Sequence, residues 1–253
     1  MPQYLTMKLP EGLITALNNA DNILVLTGAG MSAESGVPTF RDAQTGLWKK
    51  FRPEDLATPE AFIDHPRMVW DWYEERRTNI RAVVPHAGHF ALVEIEQHFK
   101  SFLLATQNVD SLHQKAGSQQ VVELHGNIML SMCSKTGKHI DEQWVNSATT
   151  RPPASPHHPD GLARPGVVWF GEELPAGPLN LATASAYDCD ICFSIGTSTL
   201  VQPAASLPFV ALKSGATVVE INPVPTALSE QAHFSLQATA AEVLPLIAAN
   251  LTG

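Results

Sequence analysis

A glycine-rich turn near the start of the chain carries residue types that suit the binding of a phosphate group. The apolar run Ile23 to Leu26 predicts a strand buried on both faces, and Thr27-Gly28-Ala29-Gly30 turns sharply out of it. Glycine lets the backbone approach a ligand closely. With Ser32 as the N-cap, the amides that follow would face a pyrophosphate at the positive end of a helix. The third glycine of the usual dinucleotide fingerprint does not stand at its expected place, so this turn alone is a weak signal.

The residues after this turn and four further predicted strand ends strengthen the signal. Gly36-Val-Pro38-Thr-Phe40-Arg41 adds a rigid turn, an aromatic ring and a guanidinium, a composition that packing does not require. Small or polar residues also follow four later apolar runs: Gln107-Asn108-Val109-Asp110, His125-Gly126, Gly196-Thr197-Ser198 and Asn222. Open α/β sheets bind ligands at the carboxyl ends of their strands. These strand ends therefore predict one nucleotide site.

The elements that must position these residues alternate between strand and helix. Strands are predicted at Phe102 to Thr106, Val121 to Leu124, Ile191 to Ile195 and Thr217 to Ile221; helices at Leu9 to Asn19, His86 to Phe99 and Ala240 to Asn250, with another helix starting near Pro203. The pattern predicts an α/β fold with a Rossmann-like parallel sheet built from residues 1–41, 86–130 and 165–253.

Two insertions interrupt this alternation and predict a smaller domain. Residues 42–85 are rich in aromatic side chains, and Thr58-Pro59 and His65-Pro66 predict helix starts there. Residues 131–164 are rich in proline, histidine and hydroxyl side chains and predict a loop-rich module. Gly166 to Glu172 follows as a strand-like segment.

The whole composition limits the classes of function. The 253 residues carry a net charge of −9, which argues against nucleic acid as a partner. The three cysteines form no disulfide framework, and Cys189 and Cys192 lie in a predicted buried strand. The first residues lack the charged and apolar regions typical of a signal peptide, and no apolar run approaches the roughly 18 residues needed to cross a bilayer, so we expect neither a signal peptide nor a membrane span. We expect a cytoplasmic monomer with no membrane association.

Taken together, these motifs resemble the sirtuin family of NAD-dependent protein-lysine deacylases. The segments that carry the resemblance span nearly the whole chain: Gly28 to Arg41, Thr106 to Asp110, Leu124 to Gly126, Val167 to Glu172, Gly196 to Ser198, and Ile221-Asn222. The resemblance implies that NAD and an acyl-lysine peptide meet in a cleft between the Rossmann-like domain and the smaller domain.

The resemblance also implies roles for single residues. It assigns NAD contacts to Gly28, Ala29, Gly30, Ala33, Phe40, Arg41, Gln107, Asn108, Val109, Asp110, Gly196, Thr197, Ser198, Asn222 and Ala240, with Phe40 shielding the reactive ribose carbon. His125 becomes the general base and Asn108 a second catalytic residue. An imidazole titrates near neutrality and can activate a ribose hydroxyl. On its own, a histidine after a strand is more often structural, and Asn108 and Asp110 would be ordinary turn residues.

The acyl-lysine substrate is assigned to two other segments. Val167, Val168, Trp169, Phe170 and Gly171 would form an edge strand that pairs with the substrate peptide, or else a plain core strand. Tyr73 and Arg76 lie at i and i+3 on one helix face. This pair, together with the small Ala57, resembles the subclass that removes succinyl, malonyl and glutaryl groups. In the alternative interpretation, Arg76 and Arg77 are solvated and pair with Glu74 or Glu75.

The sequence departs from the family at the structural zinc site. Sirtuins hold this zinc with two Cys-x-x-Cys pairs. Here Cys133 stands at the first position, while Thr136, Ser155 and His158 stand at the others. An irregular site made of Cys133, His139, His157 and His158 is the alternative, but we expect no structural zinc because a tetrahedral site needs four strong ligands.

Two other functions stay open alongside deacylation. A mono-ADP-ribosyltransferase would use the same NAD site and would leave ADP-ribose on a protein. An NAD-sensing interaction protein would bind NAD without turnover. The presence of His125, Asn108 and Asp110 together favours an enzyme.

Overall fold

The computed structural model describes residues 8–38 and 52–251. The NAD contacts predicted for Phe40 and Arg41 lie outside these residues. The helices are α1 (Glu11–Asn19), α2 (Ala29–Ala33), α3 (Pro53–Leu56), α4 (Pro59–Asp64), α5 (Pro66–Arg81), α6 (Ala87–His98), α7 (Leu112–Ala116), α8 (Glu142–Ser147), α9 (Ala176–Asp188), α10 (Leu207–Lys213) and α11 (Ala240–Leu251). The strands are β1 (Asn22–Thr27), β2 (Ser101–Thr106), β3 (Val121–Glu123), β4 (Gly126–Cys133), β5 (His139–Ile140), β6 (Ala163–Val167), β7 (Ile191–Ile195), β8 (Thr217–Ile221) and β9 (Phe234–Leu236).

The larger sheet is parallel and has β1 near its centre. The strand order is β3-β2-β1-β7-β8-β9. Thr27 pairs in register with Thr106 on one side and with Ile195 on the other, so these strands end at the same level. The apolar run in β1 is buried throughout because the sheet is covered on both faces. The prediction of a Rossmann-like parallel sheet is confirmed.

Two hydrophobic cores cover the two faces of this sheet. Ile23 and Val25 of β1 pack with side chains from α1, α6 and α11. Leu24 and Leu26, which point the other way, pack with α9 and α10. The alternation follows from the two-residue period of a strand. Among the described helices, none combines the length and the apolar character that a bilayer span needs. The cytoplasmic location and the monomeric state stay predictions.

The smaller sheet is antiparallel and has the order β5-β4-β6. Helix α5 packs against it through buried residues that include Val69 and Trp72. Arg77 joins the two elements: its Nε donates to the carbonyl of Ile128 at 2.5 Å and its Nη2 to that of Leu130 at 2.7 Å. Its Nη1 pairs with Glu74 at 2.6 Å. The interpretation of Arg77 as a solvated side chain is therefore wrong, because its guanidinium is buried and satisfies carbonyls of β4.

Several predicted elements agree with the structure to within one or two residues. These are the strands β1, β2, β3, β7 and β8 and the helices α1, α6 and α11; α4 and α5 begin at Pro59 and Pro66 as expected. A 3₁₀ turn at Ala204–Ser206 precedes α10, so the start predicted near Pro203 is also close. Buried apolar runs and proline at the first helical position gave strong local signals for these elements.

Other expectations differ from the structure. Ser32 is not an N-cap: α2 begins at Ala29 with Gly28 as its N-cap, so Ser32 lies inside the helix. The strand predicted over Gly166 to Glu172 ends at Val167. Strand β4 was not predicted, since an irregularity between Asn127 and Ser131 breaks its alternation. It crosses the boundary placed at residue 130, and the domain boundaries stay predictions.

Candidate active site

Five strand ends meet at the carboxyl edge of the parallel sheet. Strands β1 and β7 are neighbours there. From β1 the chain continues to β2 and β3 on one side of the sheet, and from β7 it continues to β8 and β9 on the other side. Such a reversal of strand order opens a crevice between the loops, which is where open α/β sheets bind ligands. The predicted residues Gly28, Gln107, His125, Gly196 and Asn222 follow β1, β2, β3, β7 and β8 at this edge.

The turns after β1 and β7 lie against each other. The N–H of Gly28 donates to the carbonyl of Ile195 at 3.0 Å, and that of Gly30 to the carbonyl of Gly196 at 2.8 Å. Gly196 has φ +59, and a Cβ placed there would lie 2.4 Å from the amide nitrogen of Met31. Two backbones can approach this closely only without side chains between them. The predicted glycines therefore allow the turns at Gly28–Gly30 and at Gly196 to pack together, and these two turns form the floor of the crevice.

A chain of hydrogen bonds joins four of the predicted residues across this edge. Nδ1 of His125 lies 3.0 Å from the carbonyl oxygen of Gln107, and Nε2 of Gln107 donates to Oγ1 of Thr197 at 3.1 Å. Nδ2 of Asn222 contacts the carbonyl oxygen of Thr197 at 3.5 Å and donates to that of Val224 at 3.0 Å. His125, Gln107, Thr197 and Asn222 therefore form one connected group.

The hydrogen bond to Gln107 fixes how His125 can act. A carbonyl oxygen only accepts, so Nδ1 of His125 must carry the proton and Nε2 must carry the lone pair. Burial lowers the pKa of His125, and the hydrogen bond to the Gln107 carbonyl partly opposes that effect. At neutral pH the ring is therefore a neutral imidazole whose Nε2 can take up a proton, as a general base must.

The lowered pKa of His125 predicts the acid side of the activity profile. The base works only when it is neutral, so activity is retained below pH 6.5, the ordinary pKa of histidine, and is lost as the pH falls through the lower pKa of the folded protein. A profile of kcat/KM against pH, with a thermal melt at each pH as a control for unfolding, measures this limb. A midpoint at or above 6.5 would contradict the assignment.

Asn108 and Asp110 are buried behind the turn that follows β1. Nδ2 of Asn108 donates to the carbonyl of Gly28 and to Oγ of Ser32, both at 2.9 Å. Both hydrogens of this amide are used, so a ligand can meet only its carbonyl oxygen. The Asp110 carboxylate accepts the N–H of Leu112 at 2.9 Å, and burial raises its pKa despite that hydrogen bond. Ser32, missed as a site residue, orients Asn108.

A second hydrogen-bonded group, made of Thr106, Thr27 and His113, supports Asn108, and it was not predicted from the sequence. Oγ1 of Thr106 accepts the N–H of Asn108 at 3.0 Å and the hydroxyl of Thr27 at 2.8 Å. Oγ1 of Thr27 in turn lies 3.0 Å from Nε2 of the buried His113. Burial, together with the charge of His86, lowers the pKa of His113 to about 3, so its ring is neutral. The sequence feature that could have indicated this group is the threonine at the last position of both β1 and β2.

The segment after β6 connects His125 to the helical insertion. The N–H of Val168 donates to the carbonyl of His125, and that of Phe170 to the carbonyl of Ala57, both at 2.9 Å. The N–H of Trp169 donates to Oε2 of Glu172 at 2.8 Å. The strand expected over residues 167–170 ends at Val167, and the three amides that follow have partners within the chain. The pairing of residues 167–171 with a substrate peptide stays a prediction. Gly171 has φ +86 and turns the segment.

Ala57, Tyr73 and Trp169 lie together in one apolar cluster beyond this segment. Nε1 of Trp169 donates to the hydroxyl of Tyr73 at 3.0 Å. Burial raises the pKa of Tyr73 to about 12, so its hydroxyl keeps its proton. Arg76, one turn further along α5, is half-buried, and its Cζ lies 5.2 Å from the ring centroid of Trp72. Tyr73 and Arg76 thus lie one turn apart in the middle of α5, and Tyr73 packs in the same cluster as Ala57.

The remaining predicted residues lie around the crevice with fewer contacts. Ala29 and Ala33 are exposed at the two ends of α2, and Ser198 is exposed after β7. Ala240 is buried at the start of α11. The carbonyl of Val109 accepts the N–H of Ile128 at 2.9 Å and so links the two sheets. The amides, hydroxyls, imidazole and carboxylate at this edge are the donor and acceptor types that the ribose and phosphate groups of NAD require.

The residues at the position of the family's structural zinc are engaged in hydrogen bonds within the chain. Nε2 of His157 bonds to the carbonyl of His139 at 2.7 Å, and Nδ1 of His158 accepts the N–H of Asp160 at 3.1 Å. Burial raises the pKa of the Cys133 thiol, but hydrogen bonds from hydroxyls and amides outweigh this effect and lower it to about 7. In the part of the chain that the structure describes, no three His, Cys, Asp or Glu side chains converge as metal ligands would.

The absence of a structural zinc stays a prediction with a direct measurement. We expect elemental analysis of the purified protein to find far less than one zinc per chain. Treatment with EDTA should leave the midpoint of thermal unfolding unchanged, because the module would not depend on a metal for folding. Stoichiometric zinc together with a lower midpoint after chelation would show that an irregular site exists.

Comparison with known proteins gives the family. The model of the Sir2 family matches residues 28–203. An NAD-dependent protein deacylase of Ralstonia nicotianae is 48% identical over 236 residues, covering 91% of this chain and 92% of the relative. A relative of the same name from Aquifex aeolicus is 48% identical over 223 residues, covering 86% and 91%.

Solved structures agree with the sequence comparison. A complex of a Sir2 homologue with NAD superimposes with a TM-score of 0.88 at 40% identity, covering 96% of this chain and 94% of the other. A Sir2 variant bound to a deacetylated p53 peptide and 3'-O-acetyl-ADP-ribose has a TM-score of 0.83 at 29% identity, covering 95% and 97%. With the fold, the strand-end residues and these likenesses in agreement, the chain belongs to the Sir2 family.

Proposed function

We propose that this chain is an NAD-dependent protein-lysine deacylase with a preference for acyl groups that end in a carboxylate, such as succinyl and malonyl. The reaction consumes one NAD and one water and gives free lysine, nicotinamide and O-acyl-ADP-ribose. Deacylation that consumes NAD is supported by membership of the Sir2 family and by relatives named NAD-dependent protein deacylase. The observation that carries the proposal is the neutral His125, with Nδ1 bonded to Gln107 and its carbonyl bonded to Val168.

In this proposal the residues of the chain divide the work around the reacting groups. Bound NAD supplies an electrophilic ribose carbon, to which the acyl oxygen bonds as nicotinamide leaves. Nε2 of His125 takes the proton of a ribose hydroxyl and makes that oxygen nucleophilic toward the acyl carbon. Asn108 presents its carbonyl oxygen to the ribose, and the apolar cluster that contains Trp169 excludes water from the acyl group.

The preference for a distal carboxylate rests on Tyr73 and Arg76. Indole N–H groups only donate, so the Tyr73 hydroxyl accepts from Trp169 and keeps its own hydrogen for another acceptor. Its raised pKa, about 12, means that this hydrogen is present at any physiological pH. Arg76, on the same helix face, stays charged and can bind a carboxylate with two parallel hydrogen bonds. Ala57 is small enough to leave room for a longer acyl chain.

The test is a comparison of matched succinyl-lysine and acetyl-lysine peptides that share one sequence. We expect both to consume NAD, with kcat/KM for the succinyl peptide higher by about tenfold or more, since a charged hydrogen-bonded pair contributes roughly 1.5–3 kcal/mol. Mass spectrometry should find acyl-ADP-ribose in solution. Equal rates would remove the preference. ADP-ribose attached to a protein would indicate the transferase, and NAD binding without turnover would indicate the sensor.

A further inference from the structure

Glu220 is a buried carboxylate in the parallel sheet that the reaction scheme does not use. It lies on β8, is 2% exposed, and has apolar neighbours on both sides, Val219 and Ile221. A carboxylate in such a place costs free energy unless hydrogen bonds satisfy it. Three hydroxyl groups do so here: those of Thr226, of Ser229 at 2.5 Å and of Ser235 at 2.8 Å.

These hydroxyls belong to the connection that leaves the carboxyl edge of the sheet and to the strand that follows it. The connection runs from Asn222, directly after β8, to His233, directly before β9. Thr226 and Ser229 lie within it, and Ser235 lies on β9. Both loop hydroxyls also bond to the backbone: Oγ of Ser229 accepts the N–H of Thr226 at 2.8 Å, and Oγ1 of Thr226 accepts that of Leu228 at 3.1 Å. Glu220 thereby fixes the fold of the connection from inside the sheet.

The opposite end of the same connection reaches the crevice. Nδ2 of Asn222 donates to the carbonyl of Val224 at 3.0 Å and lies 3.5 Å from that of Thr197. Because Asn222 and Thr226 are four residues apart in the same short connection, and Asn222 bonds to Val224 between them, the position of the Asn222 side chain depends on where Glu220 holds the loop. An apolar residue at position 220 would avoid the desolvation cost but would leave the three hydroxyls without a common acceptor.

We propose that Glu220 is a positioning residue for NAD binding, holding the 222–229 connection so that Asn222 lies ready for the dinucleotide. The inference rests on the proposed function, because Asn222 as an NAD contact is part of it. Glu220 acts through the loop and does not touch NAD. It should therefore affect the affinity for NAD far more than the affinity for the peptide.

The experiment measures NAD binding directly by calorimetry and, in parallel, KM for NAD, KM for a succinyl-lysine peptide and kcat. Glu220→Gln removes the charge that three hydroxyls share. Thr226→Val removes, with little change in shape, the hydroxyl that donates to Glu220 and accepts the N–H of Leu228, and Thr226→Ser keeps both hydrogen bonds. Glu230→Gln makes the same chemical change at an exposed position of the same connection and is the matched control.

We expect the dissociation constant for NAD to rise about tenfold in Glu220→Gln and about threefold in Thr226→Val, from the loss of one or more charge-assisted hydrogen bonds. Thr226→Ser and Glu230→Gln should bind NAD like the wild type, and KM for the peptide should change by less than about twofold in all four. If Glu220→Gln does not fold, the Thr226→Val and Thr226→Ser pair decides the question.

Two results would overturn the inference. One is unchanged NAD affinity in folded Glu220→Gln or, where that variant does not fold, in Thr226→Val. The other is a parallel rise of both KM values with a lower thermal midpoint, which is the pattern of a merely structural role. Failure of the proposed function looks different, since the wild type itself would then bind NAD without turning over any acyl peptide.

Discussion

The His125→Ala variant is expected to lose about a thousandfold in kcat, within the range that general bases contribute. Nε2 of His125 carries the lone pair that takes up the proton, because Nδ1 donates to the Gln107 carbonyl, and alanine removes this base. The side chain is half-buried and makes one hydrogen bond to the backbone, so the fold and NAD binding should survive its removal. Turnover of a succinyl-lysine peptide and calorimetry with NAD, on the same preparation, measure both effects.

The control for this variant is His139→Ala. His139 is exposed on β5, and its contact to His157 uses the backbone carbonyl, which alanine retains. It should therefore keep full activity. If His125→Ala retained more than about a tenth of wild-type turnover, His125 would be a structural residue and the base would have to be sought elsewhere.

The Arg76→Met variant is expected to lose most of the preference for acyl groups with a distal carboxylate. Methionine keeps much of the apolar length of the side chain but cannot bind a carboxylate. The ratio of kcat/KM for the succinyl peptide to that for the acetyl peptide should fall by about tenfold or more, to near one, because a bidentate charged pair is lost. Tyr73→Phe, which removes only the hydroxyl that accepts from Trp169, should lower the same ratio by a smaller factor.

Arg77→Met is the matched control on the same helix. Arg77 bonds to the carbonyls of Ile128 and Leu130 and pairs with Glu74, so its removal leaves buried acceptors unsatisfied. We expect a loss of roughly 2 kcal/mol in the free energy of unfolding, with little change in the ratio of the two substrates. Should Arg77→Met change the ratio and Arg76→Met leave it intact, the assignment of the two arginines would be reversed.

The strand ends of the site could be predicted from the sequence because each is marked locally. Buried apolar runs such as Ile23 to Leu26 and Ile191 to Ile195 specify strands, and parallel strands in one sheet bring their carboxyl ends to one edge. The sequence alone therefore predicts that Gly28, His125 and Gly196 lie near one another.

What could not be predicted depends on contacts between distant parts of the chain. Gly28 serves as N-cap because its turn packs on the turn at Gly196, and this contact overrode the local preference for Ser32. The sequence of α5 alone predicts Arg77 as a surface residue, because its partner, the carbonyl of Ile128, belongs to β4. The segment after Val167 has the composition of a strand, yet its amides bond to His125, Ala57 and Glu172. No pattern within one segment encodes such partners.

The central place of β1 has a consequence for how the protein reaches its active form. Its partners β2 and β7 lie far from it along the chain: Thr27 bonds to Thr106, 79 residues away, and Asn22 to Asp190, which directly precedes β7, 168 residues away. Contacts between such distant residues carry a large loop-closure cost and slow folding. The crevice has no floor until β7 has been synthesised and has paired with β1. During synthesis, therefore, this chain can acquire its NAD site only after about three quarters of its length has left the ribosome.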